Sequence, residues 1–461
     1  MNHDKNLMFG MLLVVAVFYA NVFASPAFAQ SEGNNAICSD SSAPAGSTTC
    51  AATGQPKASF SAAYIDAVPF STTTNDICVT LFDIISNASF VSGTVVDARG
   101  INSSNSKVDA SNQDLLCADT PWVQGSSSTT HAATILLPAT TIELSVQWAL
   151  PSGTRIIGEG AGGSGTGTTT LAACDSSSCS GTFPSDIAIL KMGAVASSTG
   201  VSIENLAING NSITGGIGIT NSASGQLSYV RHVSLYNFLG TGLLVTTGGG
   251  NSGPYSDISF TAGGSNSICV SIQGATTTTS GFEGITCSGP ASSPFPTNAI
   301  VVDAPNNMVR DIQVSGFTNG VTVGNSSTVP VHSVVLSNVQ GGANVTHVVN
   351  IANGDGTTNI VLMGINKNGA TDAIQDQTLP SGKQLFTDAS VALYVLGDEM
   401  GTAAAYSRFT TSTSANVVNW SVASAAPGGS CTSTGSMYTD LAGGVGSTWY
   451  ACAGGAWKDI K

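Results

Sequence analysis

Four charged residues set at near-regular intervals, Asp257, Glu283, Arg310 and Asp311, are this chain's best candidates for chemistry. If positions one repeat apart stand side by side, roughly 4.8 Å from one another, Asp257 and Asp311 are two steps apart, or roughly 9–10 Å between backbones. Gly284 leaves room between them. Carboxyls about 6.5–9.5 Å apart are what inverting glycosidases use to seat a water against a sugar. Glu283 is then the protonated acid, Asp257 or Asp311 the base, and Arg310 the holder of an acidic sugar or of the leaving group. The same residues have a plainer role. Glu204 beside Arg231, and Glu283 beside Arg310, form a ladder of opposite charges, with turn-forming carboxylates on a solvated edge.

Other motifs carry less. Gly158-Glu159-Gly160-Ala161-Gly162-Gly163 satisfies G-x-G-x-x-G. A dinucleotide site needs a helix next, and Ser, Gly and Thr follow instead, so it reads as a turn. Asn353-Gly354-Asp355-Gly356 offers one carboxylate where calcium wants six or more oxygens. No G-x-S-x-G elbow occurs, and His131, His232, His332 and His347 have no evident nucleophile or metal partner in the sequence. No metal site is expected.

The composition restricts the partners. Charged residues make up 9% of the chain, against about a quarter in an ordinary soluble domain. Gly, Ser, Thr and Asn replace them, the composition of short strands and tight bends. The net charge is −14 with 13 Lys+Arg spread thinly. Nucleic acid and anionic membranes both call for clustered basic residues, so neither is an expected partner.

Residues 1–29 read as a signal peptide: Lys5, a largely apolar run over 7–23, then Ala27-Phe28-Ala29 before Gln30. No later segment is apolar for long enough to span a bilayer. An exported chain with ten cysteines argues for disulfides among Cys38, Cys50, Cys78, Cys117, Cys174, Cys179, Cys269, Cys287, Cys431 and Cys452. Pairing in sequence order is the simplest arrangement.

These groups need elements to hold them. A polar segment spans 30–57. The run 77–85 is the one convincing amphipathic helix, with Asp76 as its N-cap. Strands are expected at 94–101, 134–138, 141–150 and 155–157. From residue 201 the chain repeats. Leu206, Val233, Ile258, Ile285, Ile312, Val334 and Ile360 align at spacings of 27, 25, 27, 27, 22 and 26 residues. Four residues after each stands a type that mostly tolerates a left-handed bend, such as Gly210, Asn237 and Gly316. A unit of about 25 residues with two or three short strands cannot bury its apolar face alone; stacked, the units fuse into one core of parallel strands. Parallel crossovers are strongly biased to the right hand. The expectation is an all-β, right-handed parallel β-helix over 58–385, with the 77–85 helix capping one end.

Val95-Val96-Asp97-Ala98-Arg99-Gly100, Leu136-Leu137-Pro138 and Ile156-Ile157-Gly158-Glu159-Gly160, followed by irregular coils, resemble the pectate-lyase-like β-helix superfamily, closest to its rhamnogalacturonase/epimerase type. The resemblance implies a polysaccharide partner, with cleavage by a lyase or a hydrolase. It transfers no catalytic residue: D-D, G-H-G and R-x-K of polygalacturonase-type hydrolases are absent, as is R-x-P-x-x-R of pectate lyases. No cofactor is implied, save calcium if the chemistry is β-elimination. The alternative is a non-catalytic surface or adhesion scaffold. Residues 386–426 read as a linker or edge segment. Residues 427–461 read as a small Cys-paired β module whose Trp449, Tyr450 and Trp457 could stack on sugars or simply form its core.

Overall fold

The computed structural model describes residues 63–376 apart from 110–112, 163–166, 176–178, 180–181, 275–279, 326–330 and 353–357, and beyond them 393–396, 407–410, 417–423, 437–440 and 449–459. The signal peptide, Cys38, Cys50, Cys431 and the 353–356 turn lie outside the described residues. The chain is an all-β right-handed parallel β-helix with one N-terminal helix and a small C-terminal β module.

The helix forms where its cap dictates. Asp76 accepts the Val79 amide at 2.9 Å and also holds the Ala118 amide at 3.1 Å. Ile77, Cys78, Leu81, Ile84 and Ile85 are buried in the core, and Cys78 is bonded to Cys117 in the strand Leu115–Cys117. An N-cap of this kind is worth about 1 kcal/mol. Two further disulfides, Cys174–Cys179 and Cys269–Cys287, follow the sequence order, and Cys452 is also disulfide-bonded.

Two of the expected strands are shorter or divided. The 94–101 strand is confined to Val95–Asp97. The 141–150 run splits into Thr141–Leu144 and Trp148–Leu150, which join different sheets. A coil has to turn between sheets, so a continuous apolar run cannot remain one strand.

Seven long strands then stack in parallel: Ser202–Asn209, Tyr229–Phe238, Tyr255–Ala262, Gly281–Ser288, Met308–Ser315, His332–Gly341 and Thr358–Asn366. Shorter strands from Trp148–Leu150 and Ala188–Met192 through to Asp372–Asp376 make the second sheet. The strand Leu393–Leu396 pairs with Thr358–Asn366, carrying the solenoid pairing past residue 385. In the C-terminal module five strands pair in chain order, and the first two are Ser407–Thr410 and Val417–Ala423.

The structure corrects the register expected in the sixth long strand. Ile312 pairs with Val339, not Val334, and Val339 pairs with Ile365. The irregular 22-residue step disappears: Leu206, Val233, Ile258, Ile285, Ile312, Val339 and Ile365 form one buried stack. Val334 is buried as well and pairs with Ile360, so apolar pattern alone could not choose between them.

The left-handed bend expected four residues after the aligned apolar position occurs at Asn237, Gly316, Asn338 and Gly364 but not at Gly210, Ala262 or Gly289. The regular left-handed column is the residue just before the stacked apolar one: Asn205, His232, Asp257, Gly284, Asp311, Asn338 and Gly364, all with φ between 51° and 64°. Asn, Asp and Gly tolerate this conformation, and a β-branched residue does not. One such residue per coil turns the long strand, leaving a first and a second half-strand with separate outer faces. Inside, like stacks on like. Tyr255 and Phe282 lie 4.9 Å apart and nearly parallel, and fully burying each such side chain contributes roughly 1.5–3 kcal/mol. The Tyr255 hydroxyl is satisfied by Asn221 Nδ2 at 2.8 Å, and burial pushes it up to about 12.

Candidate functional site

The outer positions of the first half-strands carry most of the solenoid's paired charge. Glu204, Arg231, Ser256, Glu283, Arg310 and Ser337 stand in register, one per coil. Each arginine here finds a carboxylate. Arg155 Nη2 is 2.8 Å from Glu204 Oε1, which also accepts the Tyr229 hydroxyl at 2.9 Å. Burial works to raise the Glu204 carboxyl, but Arg155, Tyr229 and Ser202 outweigh it and hold it below its usual range. Glu204 therefore bonds to Arg155 rather than to its register neighbour Arg231, which leans toward Asp257 at 3.8 Å. Arg310 Nε donates to Glu283 Oε2 at 2.7 Å, and its Nη2 meets the same oxygen. At the N-terminal end Arg99 forks onto Asp97, which also accepts the Tyr64 hydroxyl.

Asp257 and Asp311 belong to the left-handed corner. They lie in one column, two coils apart with Gly284 between, because their flanking residues pair in that order. Asp257 Oδ2 is 3.1 Å from His232 Nε2, and its Oδ1 lies 3.0 Å from where a Cβ on Gly284 would stand. The carboxylate therefore leans across the space that glycine leaves. Asp311 Oδ1 accepts Asn338 Nδ2 at 2.7 Å. The four residues are thus neighbours on a strongly exposed edge, with Glu283 turned to Arg310 and Asp257 half exposed. Acid–base chemistry there has carboxylates in hand, each with a polar or cationic partner.

Across the corner the second half-strands present a different surface, which sequence reasoning passed over. Its outer columns are Ser234, Ser259, Thr286, Gln313 and Gln340, and beside them Asn209, Tyr236, Thr261, Ser288 and Ser315. These ten positions hold hydroxyls, amides and one phenol, with no charge, and all are exposed or half exposed. Burial raises the Tyr236 hydroxyl, Thr170 lowers it by a hydrogen bond, and the Asp114 charge adds to the rise. The readable signal is hydroxyl or amide types at alternate positions after each stacked apolar residue.

The remaining candidates are scattered. Trp449 is 42% exposed. Register and alternation put Tyr450, buried Cys452 and Trp457 on the opposite face of the module's last hairpin from Trp449. His131 Nδ1 pairs with the Ile85 carbonyl at 2.9 Å. Burial lowers His347, against the opposing effect of Asp372 3.3 Å away. Gly158 is packed so closely on the coil beside it that a Cβ would stand 2.4 Å from the Asn205 carbonyl oxygen, as befits a turn. Two open hollows, of about 620 and 300 Å³, are lined by Gly, Ala, Ser, Thr, Asn, Ile and Leu. Among the described residues no group of three or more His, Cys, Asp or Glu is placed to hold a metal ion. No described helix is long and apolar enough to cross a membrane.

No protein-family model and no curated protein matches the chain. Solved structures similar to it include ORF18 of Geobacillus virus E2, at 12% identity over 68% of this chain and 59% of that one, with a TM-score of 0.35. This chain therefore spans less than two thirds of that protein's length. Two Azotobacter vinelandii mannuronan C-5 epimerase A-modules are also similar. The AlgE4 module has 13% identity over 53% of this chain and 89% of that one, with a TM-score of 0.23. The AlgE6 module has 14% identity over 58% and 90%, with a TM-score of 0.21.

Proposed function

We propose that this is an exported β-helix that binds a neutral extracellular polysaccharide along the outer face of its second half-strands. The observation that carries the reading is the uncharged double column around Tyr236, Ser259, Thr286 and Gln313. Hydroxyl and amide groups both donate and accept, which matches sugar hydroxyls. The Tyr236 ring can stack on the apolar face of a sugar. Successive coils repeat these groups about every 4.8 Å, so an extended polymer can meet several coils at once. A polyanion is disfavoured, because the chain carries −14 and the nearby arginines are already paired. Export rests on the leader-like first 29 residues and the disulfides.

A second reading has one observation in its favour. Asp257 leans over Gly284 toward the Asp311 coil, so Asp257 and Asp311 could flank a sugar, with Glu283 and Arg310 as acid and anchor. One experiment separates the two. The full chain is tested for binding to neutral and acidic polysaccharides while reducing ends and unsaturated products are followed, with and without calcium. Binding to a neutral polymer without products is the expected outcome. Salt-sensitive preference for an acidic polymer would overturn it. Reducing ends that vanish in Glu283→Gln would establish hydrolysis instead.

A further inference from the structure

On the uncharged face, the first coils differ from the rest. Their outer column runs Leu116, Glu143 and Ala172, and all three are buried, Glu143 at 6% exposure. Glu143 lies against the Cys174–Cys179 disulfide, with Oε2 3.1 Å from Cys179 Sγ. A disulfide sulfur has no hydrogen to give and can only accept. The contact is therefore a hydrogen bond only if the proton belongs to Glu143. The surroundings agree: the charged groups facing Glu143 are Asp109, Asp114 and Asp175, all acidic, and no cation is among them. Its strand neighbours Leu116 and Ala172 contribute no charge.

We infer that Glu143 is stored as a neutral carboxylic acid donating to the Cys179 sulfur, and that its ionisation makes the first coils a pH-sensitive part of the fold. Releasing that proton to solvent leaves a buried carboxylate with three like charges nearby and no side-chain donor among the described residues, which opposes the folded state. Burial first, then Asp109, Asp114 and Asp175, push the Glu143 carboxyl up from 4.5 to about 7. The folded chain thus holds a proton that the unfolded chain has already lost between these two values. The stabilisation is whole below 4.5 and is lost as pH rises through about 7. Each pH unit across that window multiplies the unfolding constant by about ten.

The test is denaturant unfolding of the full chain at a series of pH values, beside Glu143→Gln and Asp175→Asn. The wild type is expected to lose stability across the window, and Glu143→Gln to lack that slope. Asp175 is exposed, so Asp175→Asn is compatible with folding. It is expected to shift the midpoint of the pH dependence downward by removing one repelling charge. Equal slopes in the wild type and Glu143→Gln would overturn the inference. Should Glu143→Gln fail to fold, an unmoved midpoint in Asp175→Asn would overturn it as well.

Discussion

The two halves of each long strand share a core and a coil-to-coil register, yet their outer faces differ in kind. The first-half face places Glu204, Arg231, Glu283 and Arg310 in a line. The second-half face puts Ser, Thr, Gln, Asn and Tyr at the equivalent distances. Between them runs the left-handed column from Asn205 to Gly364. The ion pairs are local: each carboxylate is answered by its own cation, and exposed pairs of this kind add little to stability. The uncharged face instead presents exposed or half-exposed hydroxyls and amides with no ion pair among them. Stacked strands therefore do not dictate what their surface does. Repetition supplies the spacing, and the corner decides which residues face which way.

The largest test asks whether the faces really share their support. Phe282→Ala removes a ring stacked on Tyr255 beneath the corner and should cost about 3–5 kcal/mol in denaturant unfolding. A loss under about 1 kcal/mol would mean that the stack carries little of the fold. Next, Gly284→Val places a β-branched residue in a left-handed position and should cost about 1–2 kcal/mol. Gln313→Val on the uncharged face should stay within about 0.5 kcal/mol. Equal costs would remove the corner from the account.

Third, Tyr236→Ala should weaken binding of a neutral polysaccharide about tenfold, or about 1.4 kcal/mol, while Arg310→Ala leaves it nearly unchanged in the same titration. The reverse order would transfer binding to the charged face. The smallest effect is electrostatic. Glu204 is held below its usual range, so its stabilising contribution is present above 4.5 and lost as pH falls through its depressed value. Glu204→Gln should flatten the acid limb of the stability curve and leave the alkaline side alone, the opposite of what Glu143→Gln should do.

Much of this was legible before any coordinates. The period of about 25 residues predicts stacked coils because a lone coil cannot bury Ile203, Leu206 and Ile208. Asp76 announces its helix because a carboxylate there can take up a free amide, and the three described disulfides join neighbours in sequence. Gly and Asn are common at several positions of each coil, and Asn237 and Gly316 do bend left-handed where the pattern expects it. Only φ shows that the regular corner stands just before the stacked apolar residue.

The amino-acid sequence by itself determined that parallel coils would form and which residues would line their core, since apolar periodicity and burial are local to each repeat. Only the tertiary structure decided that Ile312 meets Val339, because Val334 is equally apolar and pairing across coils breaks the tie. It alone set Arg155 rather than Arg231 on Glu204, since ion pairs depend on side-chain reach as well as register. It also put Glu143 against a disulfide sulfur, a contact between residues 36 apart in sequence that no spacing rule encodes.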